Sequence, residues 1–335
     1  MAQLITKTIR LDLDTPLSVY LKIAHGDPYS FLFESVEGGA VMGRYSAIGY
    51  DPDVVWRPEG EDPIADLKQR IDACRIENAP SDLPPMAAGG YFGMFGYDMI
   101  RHFEDIPDTN PDTLGLSDAL LIRPRMIAVV DNIKQTLTLS APLYPDSEET
   151  EESARQRIET AIEKLNEGIT PPEYNTGQGD ITFQPNMDKE SFIKMVEKAK
   201  THIVDGDIFQ VVLSQRFEGP FKRDSLALYR SLRHLNPSPF LVLMNLGAFS
   251  LIASSPEIMV RLRDHVMTVR PIAGTRPRGN TAEEDEALAT DLLADEKELA
   301  EHLMLLDLGR NDVGRMAKIG HVRVTDQYIV ERYSH

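Results

Sequence analysis

The chain has 335 residues, enough for two domains each with its own core, and its 42% hydrophobic and 26% charged content is that of an ordinary soluble globular protein. A net charge of −18 repels phosphate over most of the surface, which argues against a nucleic-acid partner or an anionic membrane surface. The single cysteine, Cys74, excludes an internal disulfide and a cysteine-based metal cluster.

The N-terminal stretch MAQLITKTIRLDLDTP has no continuous apolar core and does not read as a signal peptide, and no run approaches a membrane span. A reducing cytoplasm fits this pattern. Helical stripes follow at Leu17, Tyr20, Leu21 and Ala24, and again at Ile64, Leu67 and Ile71, with Cys74 expected on the surface of that second helix. Between and after them, YSFLFES, RYSAIGY, PDVVWRP, GGYFGMFGY, ALLIRPRMIAVV and QTLTLSAPL are β-type runs bounded by Gly, Pro, Asp or Asn. The order implies an α+β fold of mostly antiparallel strands rather than repeated βαβ units. The acidic run DSEETEE starts a helix whose buried stripe is Ile158, Ala161, Ile162 and Leu165. Residues 168–187 lack periodicity and are rich in turn residues. They are taken as a linker between an N-terminal region, 1–167, and a second region, 188–335.

In the second region Asp188 is a plausible N-cap and Gly206 a stop. Phe192, Val196, Ala199 and Ile203 share one face of the helix between them. IFQVVLSQRF alternates as a strand does, with Gln210, Val212, Ser214 and Arg216 on one side. PFLVLMNL, FSLIAS, EIMVRLR and HVMTVRPI read as further strands, and residues 281–312 as two consecutive helices. Between these lies RPIAGTRPRG, residues 270–279. Its prolines and glycines forbid a helix interior, so it reads as a loop leaving a strand, with three arginines near an exposed backbone.

Several side chains in this region can carry chemistry. Glu298 and Glu301 are three apart, on one helix face, a spacing that suits a hard cation such as Mg2+. The same residues also suit a solvated face, and Asp295 with Glu298 matches a capping box. Glu257 follows Pro256 where a strand breaks. It reads either as a general acid, if burial raises its pKa, or as an ordinary exposed strand-end carboxylate. Gly274 offers a backbone N–H and Thr275 a hydroxyl to a carboxylate ligand, while Arg276 and Arg278 can pair with that ligand or stay solvated.

Taken in order, GDIFQVVLSQRF, SSPE, PIAGTRPRG, DEKELAEHLMLLDLGRNDVGR and YIVERYSH resemble the chorismate-using enzymes. That group includes anthranilate synthase component I, aminodeoxychorismate synthase component I, isochorismate synthase and salicylate synthase. FLFES, GRYSAIGY and GGYFGMFGYD resemble the regulatory region of the anthranilate-forming branch, so the likeness runs through essentially the whole chain. It implies a large sandwich of antiparallel sheets with helices outside. It further implies that Glu257 protonates the departing C4 hydroxyl of chorismate, and that Glu301 and Glu298 hold Mg2+. Gln210, Ala273, Gly274 and Thr275 would line the substrate pocket.

Relatives that add water carry a lysine base at the position of Gln210, so glutamine there implies an amine-adding enzyme. Aminodeoxychorismate synthase typically carries a lysine at the position of Ala273, and alanine favours the anthranilate-forming branch over it. With no glutaminase machinery in the chain, the resemblance implies that a glutamine amidotransferase subunit supplies ammonia. It also implies a tryptophan feedback pocket, with Glu34 and Ser35 at the ligand's amino group, Arg44 nearby, and Pro239 and Phe240 on the apolar wall. The chain stops at ERYSH, before the family's later catalytic and metal-binding segments. It is therefore expected to be incomplete in the catalytic domain and inactive as it stands, and a non-catalytic tryptophan-binding fragment is the alternative reading for it.

Overall fold

The structure, a computed structural model, describes residues 2–37, 41–76, 79–169 and 179–333. In chain order its first elements are β1 (Gln3–Arg10), α1 (Pro16–Ile23), β2 (Tyr29–Glu34), β3 (Val36–Glu37), β4 (Val41–Met42), β5 (Tyr45–Trp56) and α2 (Pro63–Ala73). Next come β6 (Phe92–Phe95), a 3-10 turn (Tyr97–His102), β7 (Ala119–Asp131), β8 (Thr136–Leu143), α3 (Glu151–Leu165) and β9 (Gln184–Pro185). The remainder is α4 (Lys189–Asp205), β10 (Phe217–Glu218), α5 (Ser225–Leu235), β11 (Phe240–Leu246), β12 (Ser250–Ser255), β13 (Arg261–Arg263), β14 (Val266–Thr268), α6 (Ala282–Ala294) and α7 (Glu296–Gly314).

Eight strands form one antiparallel sheet in the order β1-β8-β7-β5-β2-β11-β12, with β6 also paired to β7. The antiparallel α+β expectation therefore holds. The hairpin β11–β12 is far from β2 along the chain, yet in space Leu241 pairs with Glu34 and Leu243 with Leu32. Phe31, Ile122, Ile127, Val129, Met244 and Leu246 form a core on this sheet. Asn245 Nδ2 donates to Tyr20 Oη at 2.8 Å, and Tyr20 Oη lies 3.1 Å from Ser30 Oγ, so a buried polar contact joins β11 to α1 and β2. Both α1 and α3 begin with capping boxes, at Thr15–Ser18 and Thr150–Ser153, and α3 packs on β8, β1 and β7 through Ala154, Ile158, Ala161 and Leu165.

The chain divides into two compact units, Met1–Thr170 with Tyr229–His335, and Pro171–Leu228. Within the second, Asp188 caps α4 through Ser191 N and Gly206 ends it with a left-handed φ of 82°. Residues 170–178 of the expected linker lie outside the described residues.

Several local expectations change. RYSAIGY and PDVVWRP are one strand, β5, interrupted by a bulge where the register shifts between Pro52 and Val54. The strand read over 208–217 is confined to Phe217–Glu218, paired with β9; the alternating residues before it have no strand partner among those described. EIMVRLR and HVMTVRPI shorten to β13 and β14, closed by Asp264 and His265, both at positive φ as a two-residue primed turn requires. The stripe of α4 is not buried: Phe192 and Ala199 are half-buried, Val196 and Ile203 exposed. Cys74 is not on the surface but packed with Ala2 and Tyr144, and burial pushes its thiol pKa up.

Candidate active site

The loop 270–279 is the common backbone of the site. Glu257 lies just beyond β12, exposed, and its Oε1 accepts the N–H of Ile272 at 3.2 Å, two residues before Gly274. Burial of Glu257, the condition attached to the acid reading, is therefore not met within the described chain. Gly274 has φ +62, and a Cβ built there would lie 3.0 Å from Glu298 Oε2 and 3.2 Å from Leu292 Cδ1. The left-handed backbone favours glycine, and a Cβ there would crowd the Glu298 carboxylate of α7. Ala273 beside it is half-buried and Thr275 exposed. Glu257, the Ala273–Thr275 turn and Glu298 are brought together by this single loop. Gln210 belongs to the second compact unit and is exposed.

Glu298 and Glu301 sit in the first two turns of α7, with side chains 17% and 34% exposed. Lys297 Nζ lies 3.2 Å from Glu298 Oε1 and 3.9 Å from Glu301 Oε2, so a cation already serves both carboxylates. Two oxygen-donor carboxylates one helical turn apart are the usual protein contribution to a Mg2+ site, the remaining positions being filled by water and substrate. The donor chemistry fits Mg2+, although no third His, Cys, Asp or Glu joins the pair among the described residues.

The arginines of the loop are not free for an anion. Arg276 donates to Asp291 at 2.6 Å and to Asp295 at 2.8 Å, and Arg278 grips Asp285 with two bonds of 2.8 and 2.9 Å. Those bonds hold the carboxyl groups of Asp285 and Asp295 below the usual range. The sequence reading did not find these acidic partners, although Asp291 and Asp295 stand one helical turn apart just before Glu298.

A second cluster forms at one end of the sheet. Glu34 and Ser35 close β2, Pro239 and Phe240 open β11, and Val36 N bonds Ser238 O at 3.0 Å. The Glu34 side chain is fully enclosed and accepts from Tyr229 Oη at 2.6 Å and from Arg233 Nε and Nη2 at 2.8 and 3.0 Å. Burial, and after it the neighbouring Glu34 carboxylate, push the Tyr229 phenol pKa up. Arg44 is exposed, pairs with the buried Asp131 at 3.0 Å and lies over the Tyr45 ring. Replacing Glu34 by Gln removes the charge from three short bonds, and a loss of about 2 kcal/mol of stability is expected from a urea midpoint.

A family model described as chorismate binding enzyme matches residues 17–335. The chain belongs to the chorismate-binding enzyme family. Anthranilate synthase component 1 of Cereibacter sphaeroides is 48% identical, over 99% of this chain and 71% of that protein. Its counterpart from Thermus thermophilus is 43% identical over 98% of this chain and 72% of its own length. Among solved structures, anthranilate synthase component I from Streptococcus pneumoniae superposes with a TM-score of 0.71 at 32% identity, over 92% of this chain and 69% of that one. The menaquinone-specific isochorismate synthase from Escherichia coli, at 18% identity and a TM-score of 0.63, shares the fold. Among the described residues no helix is long and apolar enough to cross a membrane.

Proposed function

We propose that the chain is component I of an anthranilate synthase, converting chorismate and ammonia to anthranilate, pyruvate and water. The observation that carries the reading beyond family membership is the loop: Gly274 approaches the Glu298 carboxylate closely, Ala273 and Thr275 flank it, and Glu257 is bonded to the loop's base. Alanine at position 273 gives the loop no amine able to attack the ring, which supports direct addition of ammonia at C2.

In this reading Glu257, exposed in the chain alone, is covered by bound chorismate and protonates the C4 hydroxyl as ammonia adds at C2, so that water rather than hydroxide leaves. Loss of the C2 proton with the enolpyruvyl group as pyruvate then yields the aromatic ring. The Gly274 backbone and Thr275 hydroxyl orient the substrate beside α7. Glu298 and Glu301 would hold Mg2+, which when bound offsets the negative charge of chorismate's ring carboxylate. Gln210, which cannot serve as a base, suits a nucleophile that needs none. Ammonia would come from a glutamine amidotransferase subunit, making the assembly a hetero-oligomer of the cytoplasm. Tryptophan would inhibit through the cluster at Glu34, Ser35, Arg44, Pro239 and Phe240, where the interior bonds of Glu34 leave Ser35, Arg44 and the apolar wall as the accessible groups.

The deciding assay supplies chorismate, ammonium and Mg2+ to this chain extended to the length of its relatives, and identifies products by fluorescence and mass. Anthranilate with an equal amount of pyruvate is expected. Aminodeoxychorismate without pyruvate would reassign the chain to the aminodeoxychorismate synthase branch.

A further inference from the structure

We propose that Arg276 is a positioning residue whose guanidinium fork clamps the Gly274–Thr275 turn to the helix junction that presents Glu298. The inference rests on the chorismate reading and deepens it, because it names a group that acts on the site through Asp295 and Glu298.

Every nitrogen of the fork is engaged. Nε donates to Asp291 Oδ2 at 2.6 Å on the last turn of α6, and Nη2 to Asp295 Oδ2 at 2.8 Å. Nη1 donates to the Thr275 carbonyl at 3.2 Å and lies 4.0 Å from Glu298 Oε1. Asp295 is where these contacts acquire a consequence for the site. It ends α6 and is the N-cap of α7, and its other oxygen, Oδ1, accepts Lys297 N at 3.0 Å and Glu298 N at 3.3 Å. One carboxylate therefore fixes the start of the carboxylate-bearing helix with one oxygen and the loop with the other. The loop needs such a restraint, since the approach of Gly274 to Glu298 leaves no room for even a methyl group without displacement.

The geometry separates this role from simple charge. A planar fork reaches three directions at once, whereas a lysine ammonium at the same place is a single point on a flexible stem. Arg278 supplies the comparison within the same loop. It carries the same charge, but its hydrogen bonds run to Asp285 on the first turn of α6 and to the Tyr333 carbonyl, and none among the described residues reaches α7.

The test compares the wild-type chain, extended to the length of its relatives, with Arg276→Gln, Arg276→Lys and Arg278→Gln. It measures amide hydrogen exchange over residues 273–275 without ligand, and chorismate binding by calorimetry with Mg2+ present. Both Arg276 variants are expected to speed exchange in the turn by about tenfold or more, with melting temperatures close to wild type. They are also expected to weaken chorismate binding by about tenfold or more, since displaced binding groups lose their alignment. Arg278→Gln should stay within about threefold of wild type on both measures, because the α7 junction is intact. If Arg276→Gln fails to fold, Asp291→Ala, which removes one acceptor of the fork, takes its place in the exchange comparison. Wild-type exchange in the variants, or full recovery of exchange and binding with lysine, overturns the positioning role. Lost chorismate binding with unchanged exchange also overturns it, by making Arg276 a direct substrate contact. Should the wild-type chain itself not bind chorismate, the chorismate reading falls, and the exchange comparison still decides whether Arg276 holds the turn.

Discussion

Replacing Glu257 by glutamine is expected to lower turnover of chorismate by about 10²–10⁴-fold while leaving chorismate bound. The substitution isolates one property. Glutamine keeps the length of the side chain and an oxygen that accepts the Ile272 N–H, the contact that ties residue 257 to the loop. It removes only the proton that the departing hydroxyl needs. Hydroxide is a poor leaving group, so a site without that donor binds substrate and stalls before water is lost. The measurement pairs steady-state kinetics on the chain extended to its relatives' length with calorimetric binding of chorismate. Unchanged turnover removes Glu257 from the acid role. Lost binding with lost turnover makes it a substrate anchor instead.

Much of the frame behind this prediction was legible in the chain itself. The β2, β7, β8, β11 and β12 runs are near-continuous apolar or alternating segments with turn residues at their ends, and local physics suffices to recognise them. The caps at Asp188 and Asp295 are equally local, because the side chain answers to backbone two or three residues away. What failed depends on distant partners. β1 is a polar edge strand whose residues are mostly exposed, so its pattern carries little contrast, and only pairing with β8 defines it. The 208–217 alternation is that of a strand, yet strand structure requires a neighbour to bond. Cys74 reads as a surface position because helix periodicity cannot foresee Ala2 and Tyr144 closing over the end of α2.

The site divides along the same line. The resemblance carried by PIAGTRPRG and DEKELAEHL places Gly274 and Glu298 in one site, and the loop does bring them close together. The state of the arginines was not legible. Arg276 and Arg278 look like an anion cradle until α6 folds back and presents Asp285, Asp291 and Asp295. The loop's positive charge is then neutralised within the fold, which leaves the backbone, the Thr275 hydroxyl and the α7 carboxylates as its chemical surface.

Arg123→Leu is expected to destabilise the sheet-bearing unit by about 3–5 kcal/mol, the usual cost of breaking a buried ion pair from one side. Arg123 is in the middle of β7 and 1% exposed. It donates to both oxygens of Asp53 at 2.8 and 2.7 Å and to both oxygens of Asp146 at 2.8 and 3.0 Å, with its guanidinium 4.3 Å from the Tyr144 ring centroid. Burial alone would lower its pKa, but the two carboxylates outweigh burial and raise it. The leucine variant strands Asp53, which is 14% exposed and cannot recover its hydration; Asp146, 49% exposed, can. A double variant, Arg123→Leu with Asp53→Leu, should therefore regain most of the loss, since apolar replacement of a whole buried pair is commonly neutral or stabilising. The pH dependence follows from Asp146, whose carboxyl burial would raise but Arg123 holds below its ordinary value. A depressed folded pKa contributes stability that is present above the unfolded value of about 3.9 and is lost as pH falls through the folded value. The gap between wild type and Arg123→Leu should accordingly be full near neutral pH and narrow below about pH 4, where protonation of Asp146 weakens the wild-type pair. Denaturant midpoints of the three proteins at neutral and acid pH measure each step. A gap that does not change with pH would show that packing of the Arg123 stem against Tyr144, rather than its charge, sustains this part of the sheet.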